Sequence, residues 1–417
     1  MTLTESAGEP PRRRAVVLAA CAVLVPGTAL IAPLGIAPLF ALAAAAVLAL
    51  DGRGVLRAAR PLAPLAVIAA LLGTWATLSA AWSVIPRHSF LEGLRFLLEV
   101  VGGVLLLAAA IDLLPRERRI VGSCAAVGLA IAILFGLHEA LTGAAFTKAI
   151  LGRSVPMTRL DRGATTLALA LWPVLLAARR RAYAAVFALG AAATIYLLYS
   201  TGALLAVLTG FAVFALAWVA PRATAAALAA GIVLFAIVAP IAVPPYRATI
   251  AFHQAEPSFK WSGIHRLLIW RFTAERIAER PLLGWGMDAA RAIPGGNQYF
   301  ADLFPGAGLP KDATTLPLHP HDAALQWELE LGAPGTLLAL AIIVWGLWRA
   351  GIAADLSRAA RAGALAYAAA ALVIALIAYG IWQAWWVSTL FLTAALVSAA
   401  AEDERRESGD TPAPDPP

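Results

Sequence analysis

The chain has 417 residues, of which 61% are hydrophobic and only 14% are charged, and its formal net charge is +7. Its mean hydropathy is +0.79, whereas roughly a quarter of the residues in a typical soluble domain are charged. These values exclude an ordinary cytosolic enzyme, a disordered protein and a nucleic-acid-binding domain. About twelve membrane helices of ~20 residues would use ~240 residues, so the composition predicts an all-α, polytopic integral membrane protein.

Apolar runs place about twelve membrane spans along the chain. Several are short, and prolines interrupt the first two, which neighbouring helices can compensate. The basic start before an apolar run also resembles a signal peptide. Because a second apolar run follows without a clear cleavage site, we expect an uncleaved first helix. The predicted spans are 15–32, 35–50, 62–81, 89–113, 120–141, 163–178, 183–199, 202–219, 224–243, 332–349, 362–381 and 383–401.

The charges between the spans predict the orientation of the chain. Nearly every loop on the side of the N-terminus is basic, as the positive-inside rule requires of cytoplasmic loops. An error of one span would reverse every later loop, so the pattern indicates an even number of spans and two cytoplasmic termini. The arginines of these loops are Arg53, Arg57, Arg60, Arg116, Arg118, Arg119, Arg179, Arg180, Arg181, Arg222, Arg349, Arg358 and Arg361.

Two external segments break the charge pattern: residues 142–162, which include Arg162, and a long loop between the ninth and tenth spans. Long loops cross membranes largely regardless of charge. Loops of this length are uncommon unless they are functional, so we expect the functional site there. The predicted domains are a membrane domain over 1–243, a large external (periplasmic) loop with helices over 244–331, further spans over 332–401, and a disordered cytoplasmic tail over 402–417.

A helix is predicted over 262–280 of the external loop, with Ser262 as its N-cap and Pro281 beyond its end. Two interpretations of its arginines stay open. They could meet lipid phosphates along an interfacial helix, or they could clamp a phosphorylated substrate, since the guanidinium fork suits phosphate oxygens. At ~100° per residue three of them share a face and one is offset. The three are Arg266, Arg276 and Arg280, and the offset one is Arg271.

Four of the six histidines of the chain lie in the external loop, and His319 and His321 stand two positions apart. A histidine can accept a proton near neutral pH and is a natural general base. The pair could instead bind a metal or cap the following helix. A metal site needs about three protein ligands, and the further candidates, His253, His265 and Asp322, have no diagnostic spacing.

The sequence around His321 resembles the O-antigen ligase family of integral membrane proteins. The family pattern is His, usually Asn, nine residues, Gly, two residues, and a small residue or Tyr. In this chain the pattern runs from His321 to Gly332 and Gly335, and all of its spacings match. Asp322 stands where the family usually has Asn. Weaker matches follow the expected order: Trp82-Ser83 before Pro86, Tyr199-Ser200-Thr201-Gly202-Ala203, Arg266 with Trp270, and Pro281-Leu282-Leu283-Gly284-Trp285-Gly286.

The resemblance implies glycosyl transfer at the external face of a bacterial inner membrane. The donor would be a glycan on a polyprenyl diphosphate. The acceptor would be lipid A-core sugar for a ligase, or a second lipid-linked glycan for an O-antigen or exopolysaccharide polymerase. A lipid diphosphate leaving group needs no nucleotide, in agreement with the absence of a Gly-rich phosphate loop from the sequence. The expected partners are therefore lipid-linked glycans and membrane lipids, without nucleic acid and without a cofactor.

Cations near the membrane surface would neutralise the charge that develops on the leaving diphosphate. Arg266 is the first candidate, followed by Arg162 and then by Arg271 as a substrate-binding residue. Many family members have Arg where Thr201 stands. Arg162, at the external start of the sixth span, is our candidate for its replacement. Because cationic side chains can do the work of a divalent metal, no obligatory metal is expected.

His321 is the predicted general base, which would take the proton of the acceptor hydroxyl as that oxygen attacks the anomeric carbon. Attack opposite the diphosphate would invert this carbon. His319 or Asp322 could orient the imidazole, and both are predicted to bind substrate. Gln326, in a stretch that also looks like the family, completes the predicted substrate-binding set.

Two other classes of function remain possible from the sequence, and the role of one polar cluster is undecided. A transporter, such as a flippase for lipid-linked glycan, is commonly built from two similar halves, and the sequence shows no such repeat. A non-catalytic polysaccharide assembly protein would leave the histidine motif dispensable. Glu92, Arg95 and Glu99 share a face of the fourth span and could pair internally or bind substrate.

Overall fold

A computed structural model describes residues 12–152, 157–353 and 355–401, so the predicted tail over 402–417 lies outside the described residues. The described chain is helical, and its one isolated β-bridge joins Tyr299 and Thr314, which agrees with the predicted all-α class. Its α-helices are α1 (Arg13–Ile31), α2 (Ile36–Ala58), α3 (Ala63–Leu78), α4 (Pro86–Ile111), α5 (Pro115–Thr142), α6 (Ala145–Leu151), α7 (Asp161–Ala177), α8 (Arg181–Leu197), α9 (Thr201–Val219), α10 (Pro221–Ala242), α11 (Tyr246–Ala255), α12 (Trp261–Glu279), α13 (Phe300–Leu303), α14 (Ala323–Ile352), α15 (Arg358–Ile377) and α16 (Ala384–Ala400).

Ten segments of the described chain are long and apolar enough to cross a membrane. They contain α1 to α5, α7, α9, α10, α14 and α15. The remaining two predicted spans correspond to α8 and α16, each of 17 residues. At ~1.5 Å per residue such helices reach about 26 Å, short of the ~30 Å hydrocarbon layer. Membrane-spanning helices are thus confirmed as the class, and the count of twelve stays a prediction.

The spans pack through small residues that let helix backbones approach closely. A Cβ on Gly128 of α5 would stand 2.4 Å from the carbonyl oxygen of Ala22 in α1, and a Cβ on Gly163 of α7 would stand 2.8 Å from the Cα of Leu30. Lipid tails are as apolar as leucine, so helices in a bilayer associate by such close packing. Gly128 and Gly163 therefore allow the close packing of α5 and α7 against α1.

The segment between α10 and α14, residues 244–322, folds into a structure that we call the cap. Its own apolar cluster includes Ile264, Leu268, Phe300 and Leu316, and it closes on Leu325 of α14. The predicted helices in this loop are therefore present. The predicted helix over 262–280 is α12, whose N-cap position is Lys260 without a side-chain hydrogen bond, so the capping role assigned to Ser262 is wrong.

Helix α14 joins the cap to the membrane bundle. It begins at Ala323 rather than at 332, because Asp322 Oδ1 caps it by accepting hydrogen bonds from the backbone nitrogens of Ala324 (2.9 Å) and Leu325 (3.1 Å). The helix is interrupted at Gly332, where φ is 61° and ψ is −166°. The predicted boundary between loop and span therefore falls on an interruption inside one helix, and the histidine motif stands at the N-terminus of that helix.

Candidate active site

The interruption of α14 is a docking place for the segment 281–286 of the cap. The backbone nitrogen of Trp285 donates to the carbonyl of Leu329 at 2.9 Å. A Cβ on Gly332 would stand 2.2 Å from the carbonyl oxygen of Leu282, and its φ of 61° is one that side chains disfavour. The glycine of the family-like pattern is thus required by this close backbone approach.

The early Trp82-Ser83 motif packs against the same segment. Trp82 Nε1 donates to the carbonyl of Leu283 at 2.9 Å. A Cβ on Gly286 would stand 2.3 Å from the Cβ of Ser83. Two family-like stretches that are far apart in sequence therefore form one contact, which holds the cap on α3 and α4.

A buried carboxylate, Glu330, organises the loops around the interruption. It accepts hydrogen bonds from the backbone nitrogens of Asp288 (3.2 Å) and Ala290 (3.1 Å) and from Trp382 Nε1 (2.5 Å). Glu330 is fully buried, at 0% exposure. Buried polar groups are stable only when they are hydrogen-bonded, so this carboxylate holds the cap and the α15–α16 connection together.

Gln326, which we predicted to bind substrate, is bound by the protein on both sides. Its Nε2 donates towards the carboxylate of Glu330 at 3.4 Å, and its Oε1 accepts from the backbone nitrogen of Ile381 at 3.0 Å. Its exposure is 1%. The amide therefore links α14 to the connection between the last two helices.

That connection, residues 378–383, is the part of the site that the sequence did not reveal. Apolar runs predicted spans over 362–381 and 383–401, which left almost no turn. The turn contacts the histidine motif through backbone atoms: the Ala378 carbonyl faces His321, and a Cβ on Gly380 would stand 2.8 Å from Cδ2 of His319. Backbone contacts leave no residue-type signal, so composition and motif spacing could not identify them.

The imidazole of His321 is held by this turn. Its Nδ1 lies 2.6 Å from the carbonyl oxygen of Ala378. A carbonyl oxygen only accepts, so Nδ1 carries a proton, and the neutral ring keeps a free lone pair on Nε2. Burial lowers the pKa of His321, which keeps the ring neutral near pH 7. The side chain is thus arranged to accept a proton at Nε2.

His319 supports the backbone at His321. His321 has a φ of 59°, a conformation that is uncommon for a residue with a side chain. The Nδ1 of His319 accepts a hydrogen bond from the backbone nitrogen of His321 at 3.2 Å, and the two ring centroids are 4.3 Å apart. Burial lowers the pKa of His319 to about 3, so this ring is also neutral and its proton lies on Nε2.

Asp322 caps α14, and the Ala378 carbonyl rather than Asp322 orients the His321 ring. The carboxyl group is 1% exposed, and burial raises its pKa to about 7. A neutral amide oxygen could accept the same two backbone hydrogen bonds. Because both side chains can accept these hydrogen bonds, Asp322 can occupy the position at which the O-antigen ligase family usually has Asn.

Arg266 differs from the three other arginines of the predicted helix 262–280 in its partners. Among the described residues, Arg266 has no hydrogen-bonding or ion-pairing partner. It is half-buried, and this burial lowers its pKa, while the negative charge of Asp161 raises it. The other three are bound by neighbours: Arg271 to Glu275 at 2.9 Å, Arg276 to Glu279 at 2.8 Å, and Arg280 over the ring of Trp285 at 4.0 Å. The predicted substrate-binding Arg271 is therefore committed to an ion pair along its own helix.

Arg162 is held beside the turn 378–383. Its guanidinium lies 5.2 Å from the ring centroid of Trp385. The preceding carboxylate, Asp161, accepts a hydrogen bond of 2.5 Å from the hydroxyl of Tyr379. The first turn of α7 and the turn before α16 thus form one structure at this end of the bundle.

Thr201, where many relatives are expected to have Arg, is exposed at the start of α9. Its neighbour Gly202 packs near Ile377, since a Cβ there would stand 3.6 Å from that side chain. Thr201 and Arg162 therefore lie at the same end of the bundle, next to the turn 378–383. This placement is compatible with Arg162 as the replacement cation.

A third arginine completes the positive surroundings of the histidine pair. After burial, the positive charges of Arg266, Arg291 and Arg162 each lower the pKa of His319. Arg291 lies 3.6 Å from the carboxylate of Asp288. It lies in a short turn, Ala290–Ala292, that offers no motif, so the sequence did not single it out.

The polar group on α4 pairs internally. Arg95 binds Glu92 at 2.6 Å and Glu99 at 2.8 Å, and it also donates to the carbonyl of Trp382 at 2.6 Å. Of the two interpretations of this group, the structure shows the ion pair. Its position connects α4 to the turn 378–383.

The alternative metal ligands are distributed through the cap. His265 Nε2 lies 2.9 Å from the carbonyl of Thr314, and the ring of His253 packs edge-on against Trp261 at 5.4 Å. Across the ranges that the structure describes, no three His, Cys, Asp or Glu side chains come together as a metal-binding group.

The chain is a polytopic helical membrane protein. Its polar site lies between the membrane helices and the folded cap. A family model described as O-antigen ligase matches residues 184–340, so this part of the chain is similar to the O-antigen ligase family, in agreement with the resemblance of its motifs. The match includes Arg266 and His321, whereas Arg162 and the turn 378–383 lie outside it.

Curated relatives come from Rickettsia species and bear the name "Putative polysaccharide ligase". The chain is 28% identical to the one from Rickettsia conorii over 62% of its own length and 63% of the relative. It is 30% identical to the one from Rickettsia felis over 55% of each chain. It is 33% identical to the one from Rickettsia prowazekii over 38% of its length and 36% of the relative. The matches thus span roughly half of these relatives.

Proposed function

We propose that this protein is a polysaccharide ligase, which transfers a glycan from a polyprenyl diphosphate to a sugar hydroxyl of lipid A-core at the external face of the inner membrane. The observation that carries the proposal is the state of His321. Its Nδ1–H is held by the Ala378 carbonyl at 2.6 Å, so its Nε2 is available as a proton acceptor. The names of the curated relatives favour a ligase over a polymerase.

The proposed transfer is a single displacement. The acceptor oxygen forms a bond to the anomeric carbon while its proton passes to Nε2 of His321. The bond between that carbon and the diphosphate oxygen breaks, and the lipid diphosphate leaves with the electron pair. Attack from the opposite side inverts the anomeric carbon. The imidazolium then returns its proton to water, which its lowered pKa favours.

Arg266 and Arg162 are proposed to stabilise the departing diphosphate. Neither has an ion-pair partner among the described residues, so their charge is available to a ligand. Positive groups that are already in position stabilise developing negative charge without reorganisation. Arg291 can contribute to the same field, although it lies near Asp288. Arg271 has no place in this scheme, because Glu275 binds it.

An apolar groove beside the site offers a place for the lipid part of the donor. It has a volume of about 470 Å³ and runs between α10, α12 and the start of α14. Trp270 lies in its wall and donates through Nε1 to the Pro320 carbonyl at 2.9 Å, next to the histidine pair. A polyprenyl chain in this groove would leave its diphosphate near Arg266. The groove lining includes Phe235, Val238, Leu267, Trp270 and Asp322.

The test replaces His321 with Ala and measures transfer in proteoliposomes that contain the lipid-linked glycan and the acceptor. Transfer is expected to fall at least ~100-fold, the usual contribution of a general base. His253→Ala, which changes a cap histidine that packs on Trp261, is the matched control and should retain transfer. Near-normal transfer by folded His321→Ala would refute the assigned role and would favour an assembly protein.

A second experiment separates the ligase from the polymerase and from a flippase. The gene is deleted in its bacterial host, and the surface and lipid-linked polysaccharides are analysed. Free lipid A-core together with undiminished lipid-linked polymer on the external face supports the ligase. Single unpolymerised repeat units indicate a polymerase. Lipid-linked glycan that accumulates only on the cytoplasmic face indicates a flippase, and either of the last two results would overturn the proposal.

A further inference from the structure

A second groove lies at the end of the bundle opposite His321. Helix α7 starts beside Tyr379 at the histidine end and finishes at Ala177, in the wall of this groove. The groove has a volume of about 420 Å³ and runs between α5, α7 and α8. No part of the proposed reaction uses it.

The floor of the groove is apolar and narrow. Gly122 lies so close to α7 that a Cβ would stand 2.7 Å from the Cβ of Ala177. Ala126 continues the same face of α5 one turn further on, and Val174 of α7 and Phe187 of α8 line the opposite sides. The space fits an alkyl chain, because its floor is made of small aliphatic groups together with the ring of Phe187.

The mouth of the groove is cationic. Arg119 on α5 and Arg179 after α7 both line it, and both are exposed. Among the described residues, neither has a hydrogen-bonding or ion-pairing partner. Arg118 also lines the mouth but donates to backbone carbonyls at the end of α16, including that of Ala401 at 2.7 Å. Two guanidinium groups at the top of an apolar slot are thus available to an anion.

We propose that this groove is a binding site for an anionic phospholipid of the bilayer. Its phosphodiester would bind Arg119 and Arg179, and one acyl chain would lie along Gly122 and Ala126. Basic pockets between membrane helices bind anionic headgroups in this manner, and the guanidinium fork matches phosphate oxygens. Tyr183, which lines the groove with 59% of its surface exposed, lies where aromatic side chains meet the membrane interface.

Charge complementarity favours this occupant. A zwitterionic lipid would place its own cation beside the two arginines. A free phosphate would leave the apolar floor unfilled. The anionic lipid satisfies the mouth and the floor together, and the groove lies on the side that the positive-inside rule assigns to the cytoplasm.

The first test measures bound lipid on the purified full chain by native mass spectrometry, with added phosphatidylglycerol or phosphatidylcholine. The wild type should retain phosphatidylglycerol in preference to phosphatidylcholine. Each cation near an anionic lipid contributes about a fivefold factor in binding, so R119Q/R179Q should weaken phosphatidylglycerol binding ~30-fold.

The matched control is R222Q/R358Q. Both arginines are exposed, and neither lines the groove. Arg222 is the second residue of α10, and Arg358 is the first residue of α15. R222Q/R358Q removes two positive charges, as R119Q/R179Q does, and should still bind phosphatidylglycerol. Equal loss of lipid in both double variants would overturn the proposal in favour of general attraction to the surface.

A second pair of variants tests the floor of the groove without changing charge. Ala126→Phe should fill the slot and displace the lipid, whereas Val127→Phe, at a position of the same helix that is 53% exposed, should not. Thermal unfolding in nanodiscs gives an independent measurement: phosphatidylglycerol should raise the midpoint of the wild type and of Val127→Phe only. If Ala126→Phe binds and responds to phosphatidylglycerol like the wild type, the site is refuted.

Discussion

Two groups of arginines at opposite ends of the bundle differ in what neutralises them. At the end away from His321, Arg12 binds Glu117 at 2.5 Å and Arg14 binds Asp112 at 2.7 Å. At the histidine end, Arg266 and Arg162 have no ion pair with any residue that the structure describes. The first group ties α1 to α4 and α5, and the second lies near His319, whose pKa its positive charges lower.

The physical reason for the difference is the cost of burying charge. A buried or half-buried cation without a partner loses hydration without compensation, and a fold tolerates this where a ligand supplies the missing charge. Partnered arginines therefore stabilise the fold, and unpartnered arginines near the imidazole of His321 are available for binding. Variants at each end can test this assignment.

The largest effect is expected for Arg266→Ala. Transfer should fall ~10²–10³-fold, the range for loss of one preorganised electrostatic contact, while the thermal unfolding midpoint should stay the same or rise, because a half-buried unpaired cation is removed. Transfer in proteoliposomes and thermal unfolding of the same preparation are the measurements.

Arg271→Ala on the same helix is the control for this prediction. It breaks only the i,i+4 pair with Glu275, in which both side chains are about a third exposed, at 33% and 35%, and such pairs contribute little. Transfer should remain near that of the wild type. A loss for Arg271→Ala as large as that for Arg266→Ala would show that the ion-paired arginine also binds substrate.

Arg12→Ala should have the opposite signature. It leaves the carboxylate of Glu117, whose side chain is 3% exposed, without its cation. Breaking a fully buried pair costs ~3–5 kcal/mol. Since Arg12 is 32% exposed, solvent screening reduces this to about 2 kcal/mol of unfolding free energy. Transfer per folded molecule should be unchanged, and a drop in it would mean that the two ends are coupled.

Gly380→Ala tests whether the ring of His319 supports His321. The added methyl group would stand 2.8 Å from Cδ2 of His319 and should displace the ring that supports His321, with a fall in transfer of at least ~10-fold from misplacement of the base. Gly346→Ala, where nothing lies within 4 Å of the new Cβ, is the control. Equal activity of the two variants would contradict the supporting role of His319.

The smallest effect is expected for Asp322→Ala, which removes the N-cap of α14. The unfolding free energy should fall by about 1 kcal/mol. Asp322→Asn keeps the accepting oxygen and should restore the cap. If both variants are equally destabilised, the cap does not explain the role of Asp322.

Asp322 also predicts a pH dependence. Burial raises its pKa to about 7 in the folded chain, against ~3.9 when unfolded, so the folded state binds the proton more tightly. The stability that this gives is fully present below about pH 4 and is lost as the pH rises through about 7. Asp322→Asn should abolish this component, which unfolding midpoints across the range would measure.

Much of the fold could be predicted because hydrophobicity determines it locally. All twelve predicted spans correspond to helices, and the helix in the loop was placed within one residue at each end. The N-cap at Ser262 was wrong because capping depends on the local chain path. The end of α15 was misplaced because the turn 378–383 is itself apolar, and hydropathy does not distinguish an apolar turn from a membrane helix.

Residue type and distance along the chain were enough to predict the membrane class and to select His321 and Arg266 as candidate site residues. The tertiary structure was needed to show which arginines pair across helices, because Asp112 and Glu117, the partners of Arg12, reach it only through helix packing. It also decided which nitrogen of His321 is free, since the Ala378 carbonyl that holds the other nitrogen is a backbone atom brought there by the fold.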